Sequence, residues 1–317
     1  MGITAVIFIV VLCLIAISIT LFMARTHEAS AEASHPPEGR FIEIDGRRVH
    51  VVVRGAGPNL VLIHGASGNT RDFTFSLVAR LEKDFRVLVF DRPGLGYTDD
   101  IGTTGATLAQ QAELLQKAAQ SLGAPRPIVL GHSYGGGVTL AWAIHHPDNL
   151  SALVLLSSPS NLWTTPLDPL YRLTSHPVLG PIIIPLLTAF VPDARVKSAI
   201  EGVFHPQSAP AGYASYIGAG LTLRRSSMRA NGLQRANLQE EITGLIPYYG
   251  EISVPTEILH GTADTIVSTK IHSDLLVNQI KGAVLTRLDG IGHTPHHVAQ
   301  DAVIDTIMRA ARRARLH

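Results

Sequence analysis

The sequence predicts an α/β fold in which a mostly parallel sheet is covered by helices on both faces. Three observations carry this. Short, almost unbroken apolar runs recur at 60–63, 87–90, 128–130, 153–156, 258–259 and 283–285, most of them separated by helix-length stretches. Strands buried on both faces look like this, because neither side of the pleat meets water. A hairpin pattern at 41–46 and 48–54, with turn residues Asp45-Gly46, precedes the runs. A serine flanked by glycines directly follows the run at 128–130, where an open α/β sheet builds its binding crevice.

Taken in order, the chain begins with an uncharged, almost wholly aliphatic segment from Ile3 to Met23. As a helix it would rise about 31 Å, enough to cross the hydrocarbon core of a bilayer. A cleaved signal peptide would have a basic start and a shorter apolar core, and only Ala29-Ser30-Ala31 offers a small-residue cleavage site. A lipoprotein signal would have a small residue before Cys13, where Leu12 stands. The segment is therefore read as an uncleaved single-pass anchor over residues 1–24. Residues 25–40 are small, polar and proline-containing, and are read as a tether. The folded domain is read as 41–317.

Between Ser158 and Tyr249 the strand rhythm gives way to a proline-rich, helical-looking insert, read as a cap over about 159–248. Its segment from Val178 to Val191 is strongly apolar, and so are Leu162, Trp163, Leu170 and Tyr171. Most of these are expected to pack the cap onto the core, some to face a substrate. Arg224, Arg225, Arg229 and Arg235 read as a solvated cap surface. Arg309, Arg312, Arg313 and Arg315 close the last helix, where cations offset its dipole.

Composition narrows the function. The 317 residues are 46% hydrophobic and 16% charged with a net charge of +1, so no basic excess points to nucleic acid. The single cysteine, Cys13, excludes an intramolecular disulfide. The 15 histidines show no metal-ligand spacing, and no metal or organic cofactor is implied. His296 and His297, after Pro295, read as solvent-facing or helix-capping, and His64 and His260 as structural.

The chemistry concentrates in Gly131-His132-Ser133-Tyr134-Gly135. A serine hydroxyl is a weak nucleophile that must stand clear of the backbone to meet a base, and a sharp strand-to-helix turn achieves this. Bulky neighbours two positions away would collide in such a turn, which accounts for Gly131 and Gly135. Downstream, 258–264 ends an apolar run in a short turn carrying Asp264, and 288–294 places His293 in a glycine-flanked loop. Asp289 is the rival acid, but it precedes His293 by only four residues on the same approach. The order is serine, acid, histidine, each just past a strand end.

With these motifs on the page, the chain from Phe41 to its C-terminus resembles the α/β-hydrolase superfamily. Leu62-Ile63-His64-Gly65-Ala66-Ser67-Gly68 resembles its His-Gly oxyanion loop, and 91–98 resembles the loop after the fourth strand in members with a helical cap. The resemblance implies an eight-stranded, mostly parallel sheet with a helical cap. It implies Ser133 as nucleophile, His293 as base and Asp264 as orienting acid, with the backbone N–H groups of Ala66 and Tyr134 as oxyanion donors. A serine rather than an aspartate at the elbow points away from epoxide hydrolases and haloalkane dehalogenases. The expected activity is hydrolysis of small-molecule or lipid-like carboxylic esters through an acyl-enzyme. Carbon–carbon bond hydrolases and cofactor-free haloperoxidases share the constellation, as do proline iminopeptidases, for which Glu240 and Glu241 could meet an amine. A non-catalytic binding protein on the same fold would have no use for an activated serine.

Overall fold

The computed structural model describes residues 2–316. Strands β1 (Arg40–Ile44), β2 (Arg47–Arg54), β3 (Asn59–Ile63), β4 (Arg86–Phe90), β5 (Ile128–His132), β6 (Ala152–Leu156), β7 (Thr256–Gly261) and β8 (Val284–Leu288) form one sheet. Their spatial order is β1-β2-β4-β3-β5-β6-β7-β8. Each apolar run named above lies in or overlaps one of these strands. Asp45 and Gly46 both adopt positive φ, 51° and 73°, as a two-residue hairpin turn requires. The hairpin pairs antiparallel with Phe41 opposite His50, and β2 joins β4 antiparallel with Val53 opposite Leu88. All remaining pairings are parallel, with Ile63 opposite Gly131 and Leu156 opposite Leu259.

The strand pleat sorts the core into two layers. Val61, Leu88, Val129, Leu153 and Leu155 face one layer with Leu115, Ala119, Val138 and Trp142, from helices Leu108–Ser121 and Tyr134–His145. Leu60, Leu62, Val87, Val89, Leu130 and Val154 face the other, closed by Phe73, Leu77, Val303 and Ile307. Strand β8 lies at the sheet edge and leaves Val284 exposed. The cations of the last helix do more than offset its dipole. Arg309 and Arg313 reach the fully buried Glu257 of β7, donating to its carboxylate at 3.2 and 2.7 Å. A buried carboxylate without such partners would be costly.

Between β6 and β7 the regular elements are helical, among them Pro169–Ser175, Leu179–Phe190, Asp193–Val203 and Arg225–Leu245. The last of these packs Leu238 and Ile242 into the core layer beside the elbow helix. The proposed tether differs from its reading. The N-terminal helix runs unbroken from Ile3 to Ser34. Its last turns dock on the cap, where Arg225 binds Glu28 at 2.8 Å, Arg224 binds Glu32 at 2.8 Å and His27 meets the carbonyl of Thr188. These long-range partners hold a helix that the small polar residues of 26–34 do not advertise, and they correct the reading of Arg224 and Arg225 as solvated.

Candidate active site

Strand β5 ends at His132, and the chain turns at Ser133 with φ 51° and ψ −122° before entering the helix at Tyr134. A non-glycine residue held there is strained, and the surroundings enforce it. The Ser133 N–H is tied to the carbonyl of Leu156 at 2.9 Å, and its carbonyl accepts from Gly136 N–H at 2.8 Å. A Cβ on Gly131 would strike the carbonyl of Gly135, and one on Gly135 would strike the carbonyl of Ile63. The backbones therefore approach so closely that only glycine fits at both positions.

Beyond β7 the turn carries Asp264, whose Oδ1 accepts the backbone N–H groups of Ile266 and Val267 at 2.8 and 2.9 Å. Its Oδ2 accepts from His293 Nδ1 at 2.7 Å. Both side chains are buried. Asp289, the rival acid, is exposed and accepts from Thr262. His260 is more than a structural strand residue, since its Nε2 lies 3.1 Å from the same Oδ2 and its Nδ1 accepts from Ser273 Oγ at 2.6 Å. Burial pushes the Asp264 carboxyl up, but hydrogen bonds from His260 and His293 outweigh it and hold the group well below the usual carboxylate range. The carboxylate stays ionised at neutral pH and fixes His293 with Nδ1 protonated, leaving Nε2 as the basic nitrogen.

The loop after β3 runs beside the elbow. A Cβ on Gly65 would lie 3.2 Å from Ser133 Cβ. Among the described residues the backbone N–H groups of Ala66 and Tyr134 meet no acceptor. The loop is held by a residue whose role the sequence reading missed. Arg92 is fully buried and has no carboxylate partner among the described residues; it donates Nε to the carbonyl of His64 and Nη2 to that of Gly65, both at 3.0 Å. Its Nη1 reaches Gln111 Oε1 at 3.0 Å and the cap residue Gln234 at 2.7 Å, while the guanidinium stacks 4.1 Å from the Tyr134 ring. Burial lowers its pKa to about 10, so it remains charged at neutral pH. His64 links to the same residue, accepting Arg92 N–H on Nε2 and donating Nδ1 to Gly65. On the cap side, Asn231 accepts Ser67 N–H at 3.0 Å and donates to Ser67 Oγ at 2.8 Å.

His296 and His297 are not solvent-facing. Both direct Nε2 at Asp72, at 3.3 and 2.9 Å, and Tyr213 OH donates to the same carboxylate at 2.7 Å. His132 completes the group, with Nε2 donating to the carbonyl of His293 at 2.9 Å and Nδ1 lying 3.9 Å from Asp72. This strut ties the residue before Ser133 to the backbone of His293. Burial pushes His296 down to about 4 and His132 well below its usual range, so both are neutral at pH 7. Ligand-capable atoms of Asp72, His132 and His296 lie within 4.8 Å of one another, a grouping that spacing along the chain does not reveal. The Asp72 carboxylate accepts from three protein donors, while Nδ1 of His132 and of His296 is buried and meets no hydrogen-bond partner among the described residues.

Glu241, considered for amine recognition, is occupied elsewhere. Its carboxylate accepts the N–H of Leu108 and caps the helix Leu108–Ser121. Burial raises its pKa to about 7. The folded protein thus holds this proton more tightly than the unfolded chain, and stability falls as pH rises from about 4.5 to 7. Glu241→Gln removes that penalty while keeping a capping oxygen. The variant is expected to match wild type near pH 4.5 and to exceed it by about 1–2 kcal/mol above pH 7, checked by thermal melts at both pH values.

A family model described as the alpha/beta hydrolase fold matches residues 58–179. The chain is 30% identical over 239 residues to a pimeloyl-[acyl-carrier protein] methyl ester esterase of Vibrio atlanticus, covering 70% of this chain and 83% of that one. Among solved structures it is similar to an esterase of Exiguobacterium antarcticum, with a TM-score of 0.70, 21% identity and coverage of 86% and 99%. It is also similar to a membrane phospholipase A, with a TM-score of 0.68 and 18% identity over 98% of this chain and 99% of that one.

Proposed function

Because the chain belongs to the α/β-hydrolase family, we propose that it is a membrane-anchored serine hydrolase that cleaves carboxylic esters through an acyl-enzyme on Ser133. The observation that carries this reading is the buried His293–Asp264 pair, joined through His132 to the backbone of a strained serine turn. His293 Nε2 takes the Ser133 proton as Oγ attacks the ester carbonyl. The tetrahedral oxyanion is received by the free N–H groups of Ala66 and Tyr134, and collapse expels the alcohol, which leaves with the proton from His293. Water then attacks the acyl-enzyme by the same steps and releases the carboxylic acid. Asp264 stabilises the imidazolium in both halves. The relationship to a methyl ester esterase supports ester rather than carbon–carbon cleavage.

Anchoring rests on the N-terminal helix. The apolar 18-residue window of this helix is entirely unburied, yet its later turns are built into the cap through Glu28 and Glu32. Cleavage after Ala31 would strip Glu28 from Arg225 and leave that cap surface unpaired, which supports an uncleaved anchor. The test is turnover of an ester series from acetyl to palmitoyl by the detergent-solubilised full chain. Hydrolysis is expected throughout, with kcat/KM higher for apolar acyl chains than for acetyl. Absence of turnover at every chain length by folded protein overturns the reading.

A further inference from the structure

The cap segment expected to pack onto the core does so with only part of its surface. In the helix Leu179–Phe190 and the residue before it, Val178, Ile182, Leu186 and Phe190 form a stripe spaced four apart along one face. All four are between 44 and 64% exposed, and Leu179 beside them is 40% exposed. No Asp, Glu, Lys or Arg occurs from Leu173 to Pro192. A monomer in water rarely leaves such a contiguous apolar face uncovered.

The neighbour of this face identifies its occupant. The N-terminal helix packs along this helix, and burial on it begins at Thr20, inside the uncharged run, reaching full burial at Ala24. His27 meets Thr188 one turn beyond the end of that run. The exposed stripe thus sits where the anchor leaves the hydrocarbon. A helix of 12 residues rises only about 18 Å, too little to span. It follows the helix Pro169–Ser175 after a 119° bend, the geometry of a segment that enters one leaflet and turns back. On the next helix Arg195 and Lys197 are exposed beside Asp193 and Glu201, with Lys197 3.9 Å from Glu201.

We infer that Val178, Ile182, Leu186 and Phe190 are embedded in the lipid leaflet from which the anchor emerges, so that the cap is seated in the membrane rather than suspended above it. This rests on the anchor reading above. The experiment is site-directed spin labelling of the full chain in nanodiscs holding one copy each, comparing collision with oxygen, which favours lipid, and with a nickel chelate, which favours water. The label on native Cys13 reports the anchor. In a Cys13→Ser background, Ile182→Cys and Leu186→Cys report the stripe, and Lys83→Cys reports a water-exposed site away from the cap. Labels at 182 and 186 are expected to be oxygen-accessible like Cys13, with nickel access several-fold below that at 83. Nickel access at 182 and 186 equal to that at 83, while Cys13 stays lipid-exposed, overturns the inference and spares the anchor. Nickel access at Cys13 as well overturns both. Protection at 182 and 186 that appears only in discs holding two copies assigns the stripe to a second chain and overturns the membrane seat.

Discussion

Ser133→Ala is expected to abolish labelling by a fluorophosphonate and to lower ester kcat roughly 10⁴- to 10⁶-fold, leaving the melting temperature within about 2 °C of wild type. The size follows from the way the site is joined. His293 is oriented by Asp264 at 2.7 Å, Asp264 is fixed by two backbone N–H groups and His260, and His132 ties the base loop to the elbow. Such groups act as a unit, so removing the proposed nucleophile idles the rest. Residual turnover would come from the N–H groups of Ala66 and Tyr134 polarising a bound carbonyl. The small stability effect follows from the same turn. Alanine keeps the Cβ that makes φ 51° unfavourable, whereas Ser133→Gly releases it and is expected to raise stability by about 1 kcal/mol while being equally inactive. Peptide mass analysis locates the adduct, and labelling that persists in Ser133→Ala would remove Ser133 from the mechanism.

Much of this was legible in the sequence, for identifiable reasons. The central strands are apolar on both faces, so 60–63, 128–130 and 153–156 announce themselves without any partner. The elbow is legible because Gly131 and Gly135 are local steric requirements. Asp264 and His293 are legible because strand ends converge on one edge of a parallel sheet. The failures share the opposite character. Thr26–Ser34 is helical because Arg224 and Arg225, some 200 residues away, receive Glu32 and Glu28. His296 and His297 are buried because Asp72 lies opposite them across the fold. Arg92 falls inside a recognised loop motif, yet nothing local says that its side chain turns inward to hold carbonyls of the neighbouring strand end. A polar residue's partner is a fact of tertiary structure, and periodicity carries no record of it. The exposed stripe 178–190 fails in another way: an apolar run predicts burial, and sequence alone does not say whether protein or lipid supplies it.

Arg92→Lys is expected to lower kcat at least 10-fold with little change in KM, and to destabilise the fold by about 3 kcal/mol, despite conserving charge. The guanidinium divides its donors among the carbonyls of His64 and Gly65 and the side chains of Gln111 and Gln234, and its Cζ lies 4.1 Å from the centroid of the Tyr134 ring. An ammonium is a single point with three donors and no plane. It cannot span both carbonyls and both glutamines, and each acceptor left alone in a fully buried site costs about 1–3 kcal/mol. The damage falls on the two segments that carry the proposed oxyanion donors, because Gly65 precedes Ala66 and the Tyr134 ring supports the start of the elbow helix. Their displacement weakens binding of the oxyanion, which exists in the transition state, more than binding of the neutral ester, so kcat falls and KM holds. Arg92→Met, which removes the charge together with the donors, separates the effects. If the acceptors matter more than the charge, Lys and Met variants lose similar amounts of kcat, as read from steady-state kinetics beside thermal melts. A Lys variant with wild-type kcat would show that charge alone suffices and that the fork does not position the loop.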